Sequence, residues 1–178
     1  MKQQQALNTP PTTQQVWEWL ADVPDPEIPV VSVTELGIVR EVGYRDDTLV
    51  VTVTPTYSGC PATLVINQMI VERLRSKGVD ALRVERRLSP AWTTDWITDS
   101  ARDKLRAFGI APPVDGTAAS GEMASRASRL AGVTGPAIAC PRCESMNTEK
   151  ISQFGSTPCK ASYRCKDCLE PFDYFKCF

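Results

Sequence analysis

The chain has 178 residues, enough for one domain or two small ones, and 42% of them are apolar, which supports a core of ordinary size. Its 20 basic and 21 acidic residues leave a net charge of −1, so the overall balance gives no footprint for nucleic acid or an anionic membrane. It has no histidine, which excludes histidine-based triads, histidine metal ligands and the usual proton shuttle at neutral pH.

Residues 1–11 are rich in glutamine and end on two prolines, a composition that favours disorder. No signal-peptide core follows this polar start, and no run of eighteen apolar residues occurs, so a cytoplasmic protein is expected. Thr12 or Thr13 is placed to cap a short helix through Val16, Trp17 and Leu20. Three prolines in Val23-Pro24-Asp25-Pro26-Glu27-Ile28-Pro29 rule out regular helix and stiffen a loop bearing two carboxylates. Residues 38–44 and 49–54 read as strands around a turn at Arg45-Asp46-Asp47, with Leu49, Val51 and Val53 alternating onto one face.

A loop with Cys60 comes next, then a helix over 61–77 with an apolar stripe of Ala62, Val65, Ile66, Met69 and Ile70, stopped by Gly78. Residues 81–88 form a third strand. Trp92 and Trp96 suit core packing better than a site. A helix over 99–108 ends at Gly109. This order predicts a small layered α/β (α+β) domain with a mixed sheet over residues 12–110. Residues 111–136 shift to Ala, Ser, Gly and Pro and read as a flexible linker with a weak helix at 122–130. Residues 137–178 hold six of the seven cysteines and form a second, smaller domain.

Cys140-Pro141-Arg142-Cys143 and Cys165-Lys166-Asp167-Cys168 are two CxxC turns separated by twenty-one residues. Each can place two thiolates on one ion, and together they supply four ligands to a zinc ribbon. Iron in the same four sulfurs is the alternative. A segment this short has few large apolar residues, so the metal is expected to fold it. Cys159 and Cys177 remain, either as buried thiols near the ribbon or as members of a second or exchanging metal site. Phe172, Tyr174, Phe175 and Phe178 either pack the ribbon or dock a protein partner.

Cys60 precedes Pro61 at the start of the second helix. Proline favours the first helical position, so Cys60 falls at or near the N-cap, where helix N–H groups stabilise a thiolate. A small buried residue closing a tight turn is the other reading. Asp25 and Glu27 either cap their own loop or approach Cys60 to share a metal or tune the thiol. Thr54, Thr56, Tyr57 and Ser58 add hydroxyls beside Cys60, and Thr56, Ser58 and Gly59 form its supporting loop.

These residues carry a resemblance. Asp25-Pro26-Glu27-Ile28-Pro29, Val31-Ser32-Val33, Glu35-Leu36-Gly37-Ile38, Thr54-Pro55-Thr56 and Gly59-Cys60-Pro61 look like the iron–sulfur cluster assembly domain of the SufT and cytosolic iron–sulfur targeting type. The stretch Phe154-Gly155-Ser156-Thr157, Cys159-Lys160 and 163–177 resembles the family of phenylacetate-degradation protein D. The resemblance implies a maturation role in the phenylacetyl-CoA epoxidase system of aerobic phenylacetate catabolism, not ring oxidation itself. It implies iron–sulfur or iron centre assembly, with the reductase as the client, and the reductase and oxygenase components as partners. Cys60 matches the family's functional thiol, with Asp25 and Glu27 on the adjoining motif. One thiol cannot complete a cluster, so a homodimer, a small thiol or cysteines of the tail would have to supply the rest.

No catalytic residue is assigned. Besides maturation, three other classes are open: a structural subunit of the epoxidase complex, a thiol oxidoreductase using Cys60, and a zinc-ribbon nucleic-acid binder. The lack of histidine weighs against the second and the near-zero charge against the third. Zinc is the expected resident metal, with an iron–sulfur cluster or iron as transient cargo.

Overall fold

The computed structural model describes residues 10–113 and 138–176. Most of the expected disordered start, the body of the expected linker with its weak helix, Cys177 and Phe178 lie outside the described residues. Two compact units emerge, Met1–Trp92 and Thr93–Phe178.

The first unit opens with α1 (Thr13–Ala21). Thr12 accepts the Gln15 N–H while Gln15 Oε1 accepts the Thr12 N–H at 2.9 Å, a reciprocal cap that contributes about 1 kcal/mol. Val16 and Leu20 face the core and are fully buried. Strands β1 (Val39–Arg45) and β2 (Thr48–Val53) pair antiparallel around Asp46 and Asp47. Both turn residues have positive φ, 48° and 59°, as a two-residue hairpin turn matched to strand twist requires.

The helix α2 (Ala62–Ser76) crosses over to β3 (Leu82–Arg86), which runs parallel to β2. The sheet order β1-β2-β3 is therefore mixed, with β2 central and buried on both faces. The side of α2 that is buried is Ala62, Ile66, Ile70 and Leu74, an i, i+4 line. Val65, expected on the stripe, is turned outward and 48% exposed, and Leu64 beside it is 80% exposed. The Trp92 indole is buried and donates to the Leu36 carbonyl at 2.9 Å, which closes the unit.

The second unit begins with a 3₁₀ turn at Thr94–Trp96 and α3 (Asp99–Ala107), capped by the Thr98 hydroxyl. Arg102 is buried and donates to the carbonyls of Thr94 at 2.9 Å and Pro113 at 2.6 Å, which ties the two ends of this segment together. The short strand β4 (Ile110–Ala111) pairs in parallel with β7 (Pro171–Phe175). With β5 (Thr148–Ser152) and β6 (Lys160–Cys165) they form a sheet ordered β4-β7-β6-β5. Residues 93–111 thus pack with the ribbon, whereas the sequence pattern grouped 93–110 with the first domain and put Ala111 in the linker. The β4–β7 pairing is the physical reason, because it adds a strand to the ribbon's sheet.

The ribbon's core holds Ala111, Ile138, Cys140, Ala161, Tyr163, Cys165, Phe172 and Tyr174. The Tyr163 ring stacks on Phe172 and meets Tyr174 edge-on. Phe172, Tyr174 and Phe175 are all buried, so these three aromatics pack the ribbon.

Candidate functional site

The two CxxC turns are built alike. Glu144, directly after Cys143, and Leu169, directly after Cys168, both adopt left-handed backbone, with φ of 61° and 66°. This reversal folds each turn back over its sulfurs. The Glu144 N–H reaches the Cys140 carbonyl at 2.9 Å, and the Cys165 N–H reaches the Glu170 carbonyl at 3.0 Å.

The sulfurs of Cys140, Cys143, Cys165 and Cys168 all lie within 4.8 Å of one another. Cys140 and Cys168 are 3.7 Å apart, and Cys143 and Cys165 are 3.6 Å apart. Metal–sulfur bonds of about 2.3 Å in a tetrahedron place sulfurs about 3.8 Å apart, so the four thiols fit one tetrahedral ion. A multi-iron cluster needs its thiolates spread over several irons, which this spacing does not allow.

The protons on these thiols are unevenly held. The Ser145 backbone N–H favours the Cys143 thiolate, but Cys168, desolvation, Cys165 and Cys140 together push Cys143 up to about 12. On Cys165 the Cys168 backbone N–H, 3.5 Å from the sulfur, acts with the Asp167 N–H and the neighbouring thiols. Against desolvation they bring Cys165 down to about 7. Such a group gives up its remaining protons when a cation arrives.

A carboxylate that the spacing rules did not single out spans the two turns. Asp167 accepts hydrogen bonds from the Ser145 hydroxyl and from Asn147 Nδ2, the latter at 2.7 Å. The Lys166 N–H donates to the Asn147 carbonyl at 2.8 Å, in the same direction across the gap. The Ser145 and Asn147 bonds hold the Asp167 carboxyl below its ordinary range. An aspartate inside a CxxC turn carries no sequence signal that separates it from a solvated one.

Cys60 lies in the other unit. Its N–H donates to the Tyr57 carbonyl at 3.1 Å, closing a turn, and its carbonyl accepts from Thr63 N–H at 3.3 Å, opening α2. The N-cap of α2 is Pro61, so Cys60 stands one residue before the cap. No side chain caps this end and no acidic residue occupies its first turn, so the positive end of the helix field acts on the neighbourhood of Cys60. The thiol is half-buried.

The supporting loop divides. Ser58 and Gly59 are exposed and Thr56 is half-buried. A Cβ at Gly59 would meet the Tyr57 ring at an ordinary 3.7 Å, so the turn does not demand glycine there. The Thr54 hydroxyl is buried and has no hydrogen-bond partner among the described residues. Asp25 is buried, and its Oδ1 accepts from the N–H groups of Glu27 and Ile28, both at 2.8 Å. That oxygen organises the Pro-stiffened loop, and Glu27 is half-buried beside it. Among the described residues the ribbon cysteines form the one cluster of three or more candidate ligands close enough for a metal; Cys60, Asp25 and Glu27 do not assemble into another. Cys159 is buried, with its sulfur 2.9 Å from the Thr157 hydroxyl.

Residues 13–85 match the family model of an iron-sulfur cluster assembly protein. Residues 124–176 match that of a PaaD zinc beta ribbon domain. Over 175 residues the chain is 46% identical to the D component of an Escherichia coli "Putative 1,2-phenylacetyl-CoA epoxidase", covering 98% of this chain and 99% of that one. The chain belongs to the family of phenylacetyl-CoA epoxidase D components. A "Fe-S protein maturation auxiliary factor" of Porphyromonas gingivalis is 34% identical over 96 residues, covering 53% of this chain and 90% of its own length. A solved domain of unknown function, DUF59, from Bacillus anthracis is 26% identical, covers 52% of this chain and 90% of its own, and has a TM-score of 0.48. This chain thus joins an assembly-type domain to a four-cysteine ribbon. No described helix is long and apolar enough to cross a membrane.

Proposed function

We propose that this protein is a maturation factor for the phenylacetyl-CoA epoxidase system, assisting assembly of an iron–sulfur or iron centre in the reductase component. The observation that carries this reading is Cys60: a half-buried thiol at an uncapped helix start, inside the segment that matches the assembly-protein model. The relatives support it from two directions, one named for the epoxidase and one for maturation of iron–sulfur proteins.

In this reading Cys140, Cys143, Cys165 and Cys168 hold zinc, which supplies the cross-link that folds the ribbon. The N-terminal domain handles the cargo. The Cys60 sulfur takes one iron position of the incoming cluster or iron, and its proton leaves with the donor thiol that it displaces. The remaining iron positions are filled from outside this chain, by a small thiol, a second copy or the client. The ribbon recognises the client. The protein itself catalyses no ring chemistry and acts in the cytoplasm.

The test is the metal and sulfide content of anaerobically purified protein, wild type beside Cys60→Ser, with cluster loading of the reductase measured in cells carrying each form. The reading expects one zinc per chain in both, and iron, sulfide and reductase loading reduced only in the variant. A fully loaded reductase in the Cys60→Ser cells sinks it. Stable stoichiometric co-purification with the oxygenase in that case favours a structural subunit.

A further inference from the structure

The sequence stretch Gln153–Lys160 does no work at the four-cysteine centre, yet it is bonded to itself and to β7 at almost every residue. The Gly155 N–H donates to the Lys160 carbonyl at 2.8 Å, and the Phe154 N–H to the Ser152 hydroxyl at 3.2 Å. Ser156 donates to Asp173 at 3.0 Å, and the buried Lys160 ammonium lies 3.6 Å from the same carboxylate. A Cβ on Gly155 would fall 2.7 Å from Asp173 Oδ1, so only glycine lets the loop close onto that carboxylate without displacing it.

What this scaffold presents is apolar. Phe154 is 64% exposed and Ile151 is 59% exposed. Ile151 sits at the register irregularity between Lys150 and Ser152 on β5, the edge strand of its sheet, and such an irregularity blocks strand addition at an edge. The exposed pair is therefore suited to side-chain docking, not to extending the sheet. A large apolar side chain on a strand and another on the pre-formed loop that follows it cost little ordering entropy when a partner covers them.

The surroundings are positive. Lys176 Nζ lies 4.5 Å over the Phe154 ring and donates to the Gln153 carbonyl at 3.2 Å. Lys150 donates to the neutral Gln153 side chain at 3.0 Å and has no carboxylate partner among the described residues. Asp173 is paired with Lys160, and Glu149 with Arg164 and Lys166. Desolvation, with the Lys150 charge adding to it and Cys159 opposing, holds the Lys176 ammonium below its ordinary range. Anionic groups brought to this corner complement its two ammonium groups.

We propose that Ile151 and Phe154, flanked by Lys150 and Lys176, form the client-docking surface of the ribbon, and that the partner is a protein surface with an apolar pocket rimmed by carboxylates. The proposal rests on the maturation reading, which makes the client a component of the epoxidase. It gives Phe154 the part of central anchor and the lysines the part of orienting rim.

The experiment measures binding of the full-length zinc-loaded protein to the purified reductase and oxygenase components at low and high salt. Phe154→Ala, Lys150→Glu and wild type are compared, with zinc content as the check on folding. The expected result is binding by wild type that weakens as salt rises, at least about tenfold weaker binding by Phe154→Ala, and a loss of most of the salt dependence in Lys150→Glu. Wild-type binding that both variants retain overturns the docking surface and leaves the maturation reading standing. Absence of wild-type binding to either component sinks the client reading and takes this surface with it. Two further outcomes also overturn the proposal: self-association lost in Phe154→Ala with component binding intact, or duplex DNA binding lost in Lys150→Glu with component binding intact.

Discussion

The two cysteine sites of this chain differ in how much of a metal site each completes. The ribbon gathers four sulfurs within 4.8 Å, backs them with N–H donors from its own turns, and pins the turns together through Asp167. The Cys60 loop offers a single half-buried sulfur beside an uncapped helix. A closed set of ligands keeps its ion, whereas a single ligand can hold one only while others are supplied from outside. Under the maturation proposal, the contrast separates a resident metal from metal in transit by ligand number.

The sharpest way to break that comparison is to remove one sulfur from each site. Cys165 is fully buried in the ribbon's core and faces Cys143 at 3.6 Å. Cys165→Ser is expected to abolish zinc binding and unfold the ribbon, lost as a separate transition in calorimetry, while the first unit melts as before. Cys60→Ser is expected to leave zinc content and both transitions unchanged. A ribbon that stays folded and zinc-loaded without Cys165 would mean that the fourth ligand comes from elsewhere, with Cys159 as the nearest thiol in sequence outside the two turns.

The next effect is smaller and concerns how the closed site is held. Asp167→Ala removes the acceptor shared by Ser145 and Asn147 and lets the two turns move apart. Zinc affinity, measured by competition with a chromophoric chelator, is expected to fall about tenfold, the usual consequence of losing a group that orients metal ligands. An affinity within about twofold of wild type would show that the β-ladder alone fixes the turns. The pH dependence has a definite sign. Zinc needs thiolates, Cys165 lies near 7 and Cys143 near 12, so zinc binding displaces protons and its affinity rises with pH. At pH 7 calorimetry in buffers of different ionisation enthalpy is expected to report net proton release on zinc binding. A value near zero would mean that the thiolates are already formed in the apo ribbon.

How much of this was legible in sequence depends on the range of the interaction. The Thr12 cap, the Asp46-Asp47 turn and the two CxxC turns are local chemistry, and each is where its residues place it. The face of α2 was only half legible. Leu64-Val65-Ile66 puts apolar residues on adjacent faces, and periodicity does not decide which one the sheet covers. The β4–β7 pairing had no sequence signal, because a two-residue strand pairs with one far along the chain through tertiary packing rather than propensity. The aromatic tail left packing and docking both open, and burial of Phe172, Tyr174 and Phe175 decides for packing. An exposed aromatic of the ribbon is Phe154, in a loop tied to Asp173, nineteen residues further on, through Ser156 and the close approach of Gly155.

The smallest effect tests whether closure of the ribbon depends on anything beyond sulfur and backbone. Leu169 follows the second CxxC turn with φ of 66°, a left-handed conformation that costs a residue with a Cβ about 1 kcal/mol. Its side chain is 71% exposed, so little packing is lost by removing it. Glycine adopts this backbone without the steric cost, but it also makes the unfolded chain more flexible, by about 0.5–1 kcal/mol. The two terms nearly cancel, and Leu169→Gly is expected to shift the ribbon's stability by less than about 1 kcal/mol, with zinc affinity unchanged. A large fall in zinc affinity would sharpen the comparison in a different way. The Leu169 side chain would then be shielding the sulfurs from water, and the closed site would owe part of its permanence to a residue that touches neither metal nor core.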